Sequence, residues 1–443
     1  MFPSPAPVHH SRNFQETQKN LACLCLATKF MPFTRHRRRA HLLRGPQELL
    51  AHSAASAKRG ERSLAKLEPR NLKHFADTII QWQKQHGRHD LPWQQTRDPY
   101  TRWVSEVMLQ QTQVAHVIPY YLRFMALFPT VTALADAPIE EVLKVWAGLG
   151  YYARARHLYR AAQWVCLHHQ GVVPTDPALL LQLPGIGRST AAAIATFCGE
   201  PPHAILDGNV KRLLSRVFAI AGSPSSSAVQ RQLWELAESL LPIQQGAAYI
   251  QGLMDLGATL CTARRPLCNA CPLQRTCQAN QLGQQAHFPT ARSRPKLAQK
   301  FTRMLLLQTP EGKFLVEKRP SSGLWGGLWC FPQLDPVQDP VQQSQEKWGL
   351  FTRRGDQLAT LRHTFTHFHL DIEPHLLHVD LVRSAPVPCT DAFNWFTLQQ
   401  LQSEATPVAV RKLVRQLQKH PACALSSGES PMNSTFSLSL GNL

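Results

Sequence analysis

Four cysteines fall within 17 positions, as Cys261-x6-Cys268-x2-Cys271-x5-Cys277, while the other seven of the eleven are scattered. Four thiolates in one loop can close around a zinc ion or around an iron–sulfur cubane. Oxidised scaffolds spread their cysteines through a small chain, so this cluster reads as a metal site in a reducing compartment. Two carboxylates suggest a second chemistry. Glu106 follows Trp103 and precedes Val107, which are four apart and share a helix face. An apolar setting disfavours the charged carboxylate, so the group would carry a proton at neutral pH; on an open helix surface it would be an ordinary glutamate. Asp207, in Leu206-Asp-Gly-Asn-Val, precedes a helical run of Val210, Leu213, Leu214 and Val217. A helix N-cap and a site acid are both open to it.

Leu183-Pro-Gly-Ile-Gly-Arg-Ser189 supplies a third feature. Gly185 and Gly187 would let the turn backbone approach a phosphate, which the free amides of the next helix then hold. Such a contact positions a protein on nucleic acid without reading its sequence. A plain helix–helix connection uses the same residues.

These groups need elements to hold them. Leu72, Phe75, Ile79 and Trp82 repeat at helical steps, and helical patterns follow one another to about residue 280 with no strand pattern between. Pro138 with Glu140 and Glu141 starts one helix, which Gly148 and Gly150 stop. Asp176-Pro177 starts another, and an Ala-rich helix runs from Ser189 to about Cys198. Residues 281–300 read as a basic linker. Beyond it, Phe301–Leu307 and Lys313–Glu317 predict two strands joined at Pro310-Glu311-Gly312. Leu361–Ile372 predicts one strand with His363, Phe365, His367 and His369 on a single face, a metal triad being the sharper reading of its histidines. Helical patterns return near 340–350 and 407–418. The expected fold is an all-α domain over 70–280, then an α+β domain over 301–420, with disordered segments at 1–66 and 421–443.

The 48 Lys and Arg exceed the 29 acids, a net charge of +19 that suits a polyanionic partner, nucleic acid first. Residues 35–39 supply only part of that surplus. At 443 residues the chain can bury two cores, and no apolar run is long enough to span a bilayer. The Arg-rich stretch 1–66 is open to three readings: a mitochondrial transit peptide, a disordered extension, or upstream sequence from a wrong start codon.

Taken in order, Trp103-Val-Ser-Glu-Val-Met-Leu-Gln-Gln-Thr, Gly148-Leu-Gly-Tyr-Tyr-Ala-Arg, the Leu183 heptapeptide, Leu206-Asp-Gly-Asn-Val and the cysteine loop resemble the MutY-type adenine DNA glycosylases, over about residues 70–418. The resemblance implies a helix-hairpin-helix glycosylase domain whose Cys261, Cys268, Cys271 and Cys277 hold a 4Fe–4S cluster, with Arg264, Arg265 and Arg275 near phosphates. It implies that Glu106 protonates adenine, that Asp207 stays ionised beside the developing sugar cation, and that Asn209 orients the site. Gln110 and Tyr151 would fill the duplex after base flipping, and Arg88 and Trp93 would line the adenine pocket. Relatives that also cut the strand carry a lysine where this chain has Ser189, which implies a monofunctional enzyme. Ser322-Gly-Leu-Trp-Gly-Gly-Leu-Trp and Arg362-His-Thr-Phe-Thr-His-Phe-His resemble the Nudix-like domain of that family, with Phe365, Thr366 and His367 on 8-oxoguanine. Family members often have Ser where Thr366 stands. No Arg-Glu-x-x-Glu-Glu run for magnesium appears in residues 331–350, which argues against a Nudix hydrolase. The expected partner is duplex DNA with adenine opposite 8-oxoguanine or guanine, the expected state a monomer in a bacterial cytoplasm. The alternatives are a strand-cutting lyase of the same fold and an iron–sulfur DNA-binding protein without activity.

Overall fold

The computed structural model describes residues 69–290, 296–384, 387 and 389–420. The expectations for residues 1–66 and 421–443 lie outside that range. From Pro69 to His287 the described elements are all helical, and from Ala298 a mixed sheet with helices takes over.

Five helices position the site. They are α1 (Pro69–His86), α2 (Pro99–Leu109), α3 (Ile139–Trp146), α4 (Ala153–His169) and α5 (Arg188–Phe197). Two more, α6 (Gly208–Val217) and α7 (Gly246–Asp255), complete the set. Asp98 starts α2, its carboxylate accepting from the amides of Tyr100 and Thr101, with Pro99 at the first helical position.

The helical part has two apolar cores. Trp103, Val104, Val107 and Met108 of α2 pack with Phe124, Trp146 and Leu158 in one. Phe75 and Ile79 of α1 pack with Leu213, Leu214, Tyr249 and Leu253 in the other. The Ala-rich helix α5 is shared: Ala191, Ile194 and Ala195 face the first core, and Ala192, Ala193 and Phe197 the second. Small side chains let neighbours approach it on both sides. Glu106 therefore comes from one half and Asp207 from the other, with α5 as the common wall.

The sheet strands are β1 (Ala298–Gln308), β2 (Lys313–Lys318), β3 (Trp329–Cys330), β4 (Gln333–Leu334), β5 (Thr352–Gln357), β6 (Leu361–Thr364), β7 (Phe368–Val379) and β8 (Phe393–Thr397). The main order is β3-β2-β1-β7-β5, with β1 and β7 parallel and in register from Ala298–Phe368 to Gln308–His378. Strand β1 begins at Ala298, inside the stretch read as linker. Its side chains alternate, Met304 and Leu306 joining the core shared with α2 and α3, Leu305 and Leu307 a core on the other face. Polar contacts join the two parts as well. Lys318 Nζ meets Glu140 Oε1 at 2.7 Å, and Arg411 donates to the carbonyl of Ala147 at 3.1 Å. Among the described residues no helix is long and apolar enough to cross a membrane.

One strand expectation is corrected. Residues 361–372 form a hairpin, β6 and β7 joined through 365–367, in which His363 pairs with Leu370 and Thr364 with His369. The alternating face is broken at the turn. His363 packs on Phe365 and Trp325, while His369 Nδ1 bonds Thr364 Oγ1 at 2.9 Å, so the histidines do not form a triad.

Candidate active site

Glu106 lies half-buried on α2, the helix that also carries the fully buried Trp103. No described residue hydrogen-bonds its carboxyl. Burial pushes the Glu106 pKa up to about 7, the charge of Asp207 pushes the same way, and Arg102 opposes both. Arg102, one helical turn before Glu106, was overlooked in the sequence although the i, i+4 spacing marks it. It is buried, donates to the carbonyls of Thr96 and Gln94, and lies 4.9 Å from the Phe197 ring centroid.

Asp207 is the N-cap of α6, its carboxylate accepting from the Val210 amide at 2.8 Å. Burial raises its pKa; the amides of Val210 and Asn209, the Arg212 charge and the Asn209 side chain pull it back down. The net direction is upward, so ionisation of Asp207 depends on those donors. Cap and site acid are thus compatible roles for one carboxylate. Ser189, near the start of α5, accepts from the Leu206 amide at 2.9 Å and so ties the hairpin to the Asp207 turn.

Behind Asp207, α6 reaches the cysteine loop. Arg212 donates to Asn209 Oδ1 at 2.8 Å, to the Gly257 carbonyl at 2.6 Å and to the Cys261 carbonyl at 2.8 Å. Gly257 belongs to a π-helical turn, Leu256–Leu260, and a Cβ there would stand 2.5 Å from Asn209 Cβ. Arg216 donates to Cys261 Sγ at 3.3 Å. Cys261, Cys268, Cys271 and Cys277 line one cavity with Leu213, Val217 and Leu273. Burial raises the Cys271 pKa to about 11, and the three other cysteines add to that shift. Among the described residues no three side chains converge as the ligands of a single ion do. Arg264, Arg265 and Arg275 are exposed on the same loop.

The hairpin glycines differ in kind. Gly185 has φ +84°, and a Cβ would stand 2.7 Å from His157 Cβ, so the fold itself requires glycine. Gly187 is the N-cap of α5 with φ −100°, and a Cβ there would meet nothing within 4 Å.

Other residues named from the sequence are distributed around this centre. Gln110 ends α2, and Tyr151, 46% exposed, stands on the loop before α4. Arg88 grips the fully buried Asp255 through its amide, Nε and Nη2, at 2.9, 2.8 and 2.6 Å, and Gln251 donates to Asp255 at 2.8 Å. Trp93 is 3% exposed and packs edge-on against Tyr121, more core than open wall. Phe365 stacks on Phe368 at 4.6 Å, with Thr366 and His367 exposed beside it.

Residues 104–239 match the HhH-GPD superfamily base excision DNA repair protein family, and residues 303–416 match the NUDIX domain family. The adenine DNA glycosylase of Buchnera aphidicola subsp. Acyrthosiphon pisum is 34% identical over 346 residues, covering 78% of this chain and 98% of that protein. The adenine DNA glycosylase of Homo sapiens is 33% identical, with 90% of this chain and 83% of that protein covered. Among solved structures, a thermostable thymine-DNA glycosylase is 32% identical and covers 48% of this chain and 97% of its own, with a TM-score of 0.44.

Proposed function

We infer the target and the mechanism from one premise: the chain belongs to the adenine DNA glycosylase family, and is an adenine-specific N-glycosylase of base excision repair acting on DNA. The observation that carries the mechanism is the pairing of Glu106, held near pKa 7, with Asp207, whose charge reaches it.

Adenine turns out of the stack before it reacts. Glu106 gives its proton to N7 of the base, which then accepts the electrons of the C1′–N9 bond as that bond breaks. Asp207, ionised, faces the positive charge spreading over the sugar ring, and the Val210 and Asn209 amides, the Asn209 side chain and the charge of Arg212 favour that state. Glu106, now a carboxylate, takes a proton from the water that adds to C1′. An abasic site remains. Ser189 offers a hydroxyl where a Schiff base needs an amine, and that hydroxyl is already engaged by the Leu206 amide. The enzyme is monofunctional, and borohydride should not trap it on DNA.

Cys261, Cys268, Cys271 and Cys277 fit a 4Fe–4S cluster, because the four cysteines line one mostly apolar cavity and Arg216 directs an N–H at the sulfur of Cys261. Bound there, the cluster would tie the loop together and hold Arg264, Arg265 and Arg275 toward the backbone phosphates. The base opposite adenine is 8-oxoguanine, or guanine more weakly, contacted by Phe365, Thr366 and His367. The exposed Thr366 hydroxyl and the stacked Phe365 support that reading. The test is adenine release opposite 8-oxoguanine, guanine and thymine by wild type and by Phe365→Ala with Thr366→Ala. The double variant should lose the preference for 8-oxoguanine over guanine. Retention of the full preference would remove this loop from the recognition.

A further inference from the structure

One guanidinium serves both turns that carry Gln110 and Tyr151. Arg154, in the first turn of α4, is 9% exposed. Its Nη1 donates to the carbonyls of Val107, Met108 and Gln110 at 3.0, 2.8 and 2.5 Å, in the last turn of α2, where helix carbonyls run short of amide donors; the Val107 carbonyl also takes the Gln110 amide at 3.4 Å. Its Nη2 donates to Thr112 Oγ1 at 3.2 Å and to the Gly150 carbonyl at 3.1 Å. The guanidinium carbon lies 5.5 Å from the Trp146 ring centroid and 5.3 Å from that of Tyr151.

The turns it joins are bent against preference. Gln111 has φ +58° and Tyr151 φ +50°, left-handed values that side chains other than glycine rarely adopt. Such residues persist only where the surroundings over-determine them. Among the described residues Arg154 has no carboxylate at ion-pair distance, so carbonyls, the Thr112 hydroxyl and ring faces answer its charge. A planar fork can meet that many acceptors at fixed angles, and a lysine cannot.

We propose that Arg154 is a positioning residue for base extrusion: it locks the Gln110 and Tyr151 turns into one unit against the end of the helix carrying Glu106. The two side chains then enter the duplex together, at a fixed place relative to the acid that receives the adenine. This rests on the reading of Gln110 and Tyr151 as the pair that fills the duplex.

The test uses full-length, cluster-loaded protein with Arg154→Met and Arg154→Lys, the latter keeping the charge should the former fail to fold. Extrusion is followed by fluorescence of 2-aminopurine placed at the target adenine. Base release is measured from adenine opposite guanine and from adenine opposite an abasic site, where no partner base must be displaced. Extrusion should slow at least tenfold in both variants. Release from the paired adenine should fall at least tenfold more than release from the unpaired one, with the pH at which the rate declines unchanged. Extrusion at the wild-type rate would overturn the proposal. So would equal loss on both substrates, which would make Arg154 a general support of α2. Gln110→Ala and Tyr151→Ala run alongside. If they leave extrusion untouched, the duplex-filling reading fails and the proposal with it; if they slow extrusion and the Arg154 variants do not, the proposal alone fails.

Discussion

Replacing Glu106 with glutamine should stabilise the folded protein while removing its activity. The Glu106 carboxyl is moved from 4.5 to about 7, chiefly by burial and then by Asp207, against the pull of Arg102. At about 1.4 kcal/mol for each tenfold change, its charged form costs the folded state about 3 kcal/mol. The folded protein holds the proton more tightly than the unfolded chain. The stabilisation is therefore complete below the unfolded value near 4.5 and is lost as pH rises through about 7. Glutamine has the same shape and no charge at any pH. The stability gap between Glu106→Gln and wild type should be near zero in acid, open as pH rises, and level off at about 3 kcal/mol above pH 7. Urea unfolding at about pH 5 and about pH 8, with the cluster content matched, reads it directly. A gap that is absent at the higher pH, or equal at both, would refute the reasoning, because Glu106 would then not be a destabilised carboxylate.

The same shift predicts a single-turnover rate of base release that falls about tenfold per pH unit above about pH 7, as Glu106 loses its proton, and that falls again in acid, as Asp207 takes one up. Gly185→Ala should lower folding stability by at least about 1 kcal/mol, since φ is +84° and His157 is in the way. Gly187→Ala should leave unfolding within about 0.5 kcal/mol of wild type, because its Cβ meets no described atom within 4 Å, yet weaken duplex binding in a titration if the hairpin holds a phosphate there. Arg212→Met should cost roughly 2–4 kcal/mol in unfolding and slow base release more than it weakens duplex binding, since it cuts the link from Cys261 to Asn209.

Local patterns carried much of this structure. The helix around Glu106 was legible from the Trp103–Val107 spacing, the β1–β2 hairpin from Pro310-Glu311-Gly312, and the shared cavity from cysteines crowded into one loop. Other features had no local signal. Phe365-Thr366-His367 contains no glycine, proline or asparagine, so a turn there looked like an unbroken strand. The short helix Leu398–Ser403 had a signal that was passed over, the capping box of Thr397 and Gln400. Strand β5, Thr-Arg-Arg-Gly-Asp-Gln, has no apolar alternation, and its place is fixed by pairing with β7. The grip of Arg88 on Asp255 spans 167 positions, and the parallel pairing of β1 with β7 about 70; sequence spacing reports neither. Nothing in the local sequence separates Arg154 and Arg212 from surface basics in a basic chain. Only the packing shows that each answers several carbonyls at once.

The most direct test of the account is single-turnover adenine release from a duplex with one adenine opposite 8-oxoguanine, beside an adenine–thymine control, for wild type and Glu106→Gln. The account predicts release from the mispair alone and its loss in the variant, with duplex binding kept. Base release by Glu106→Gln at the wild-type rate would contradict it, as would a folded, cluster-loaded wild type that binds the mispair and releases nothing.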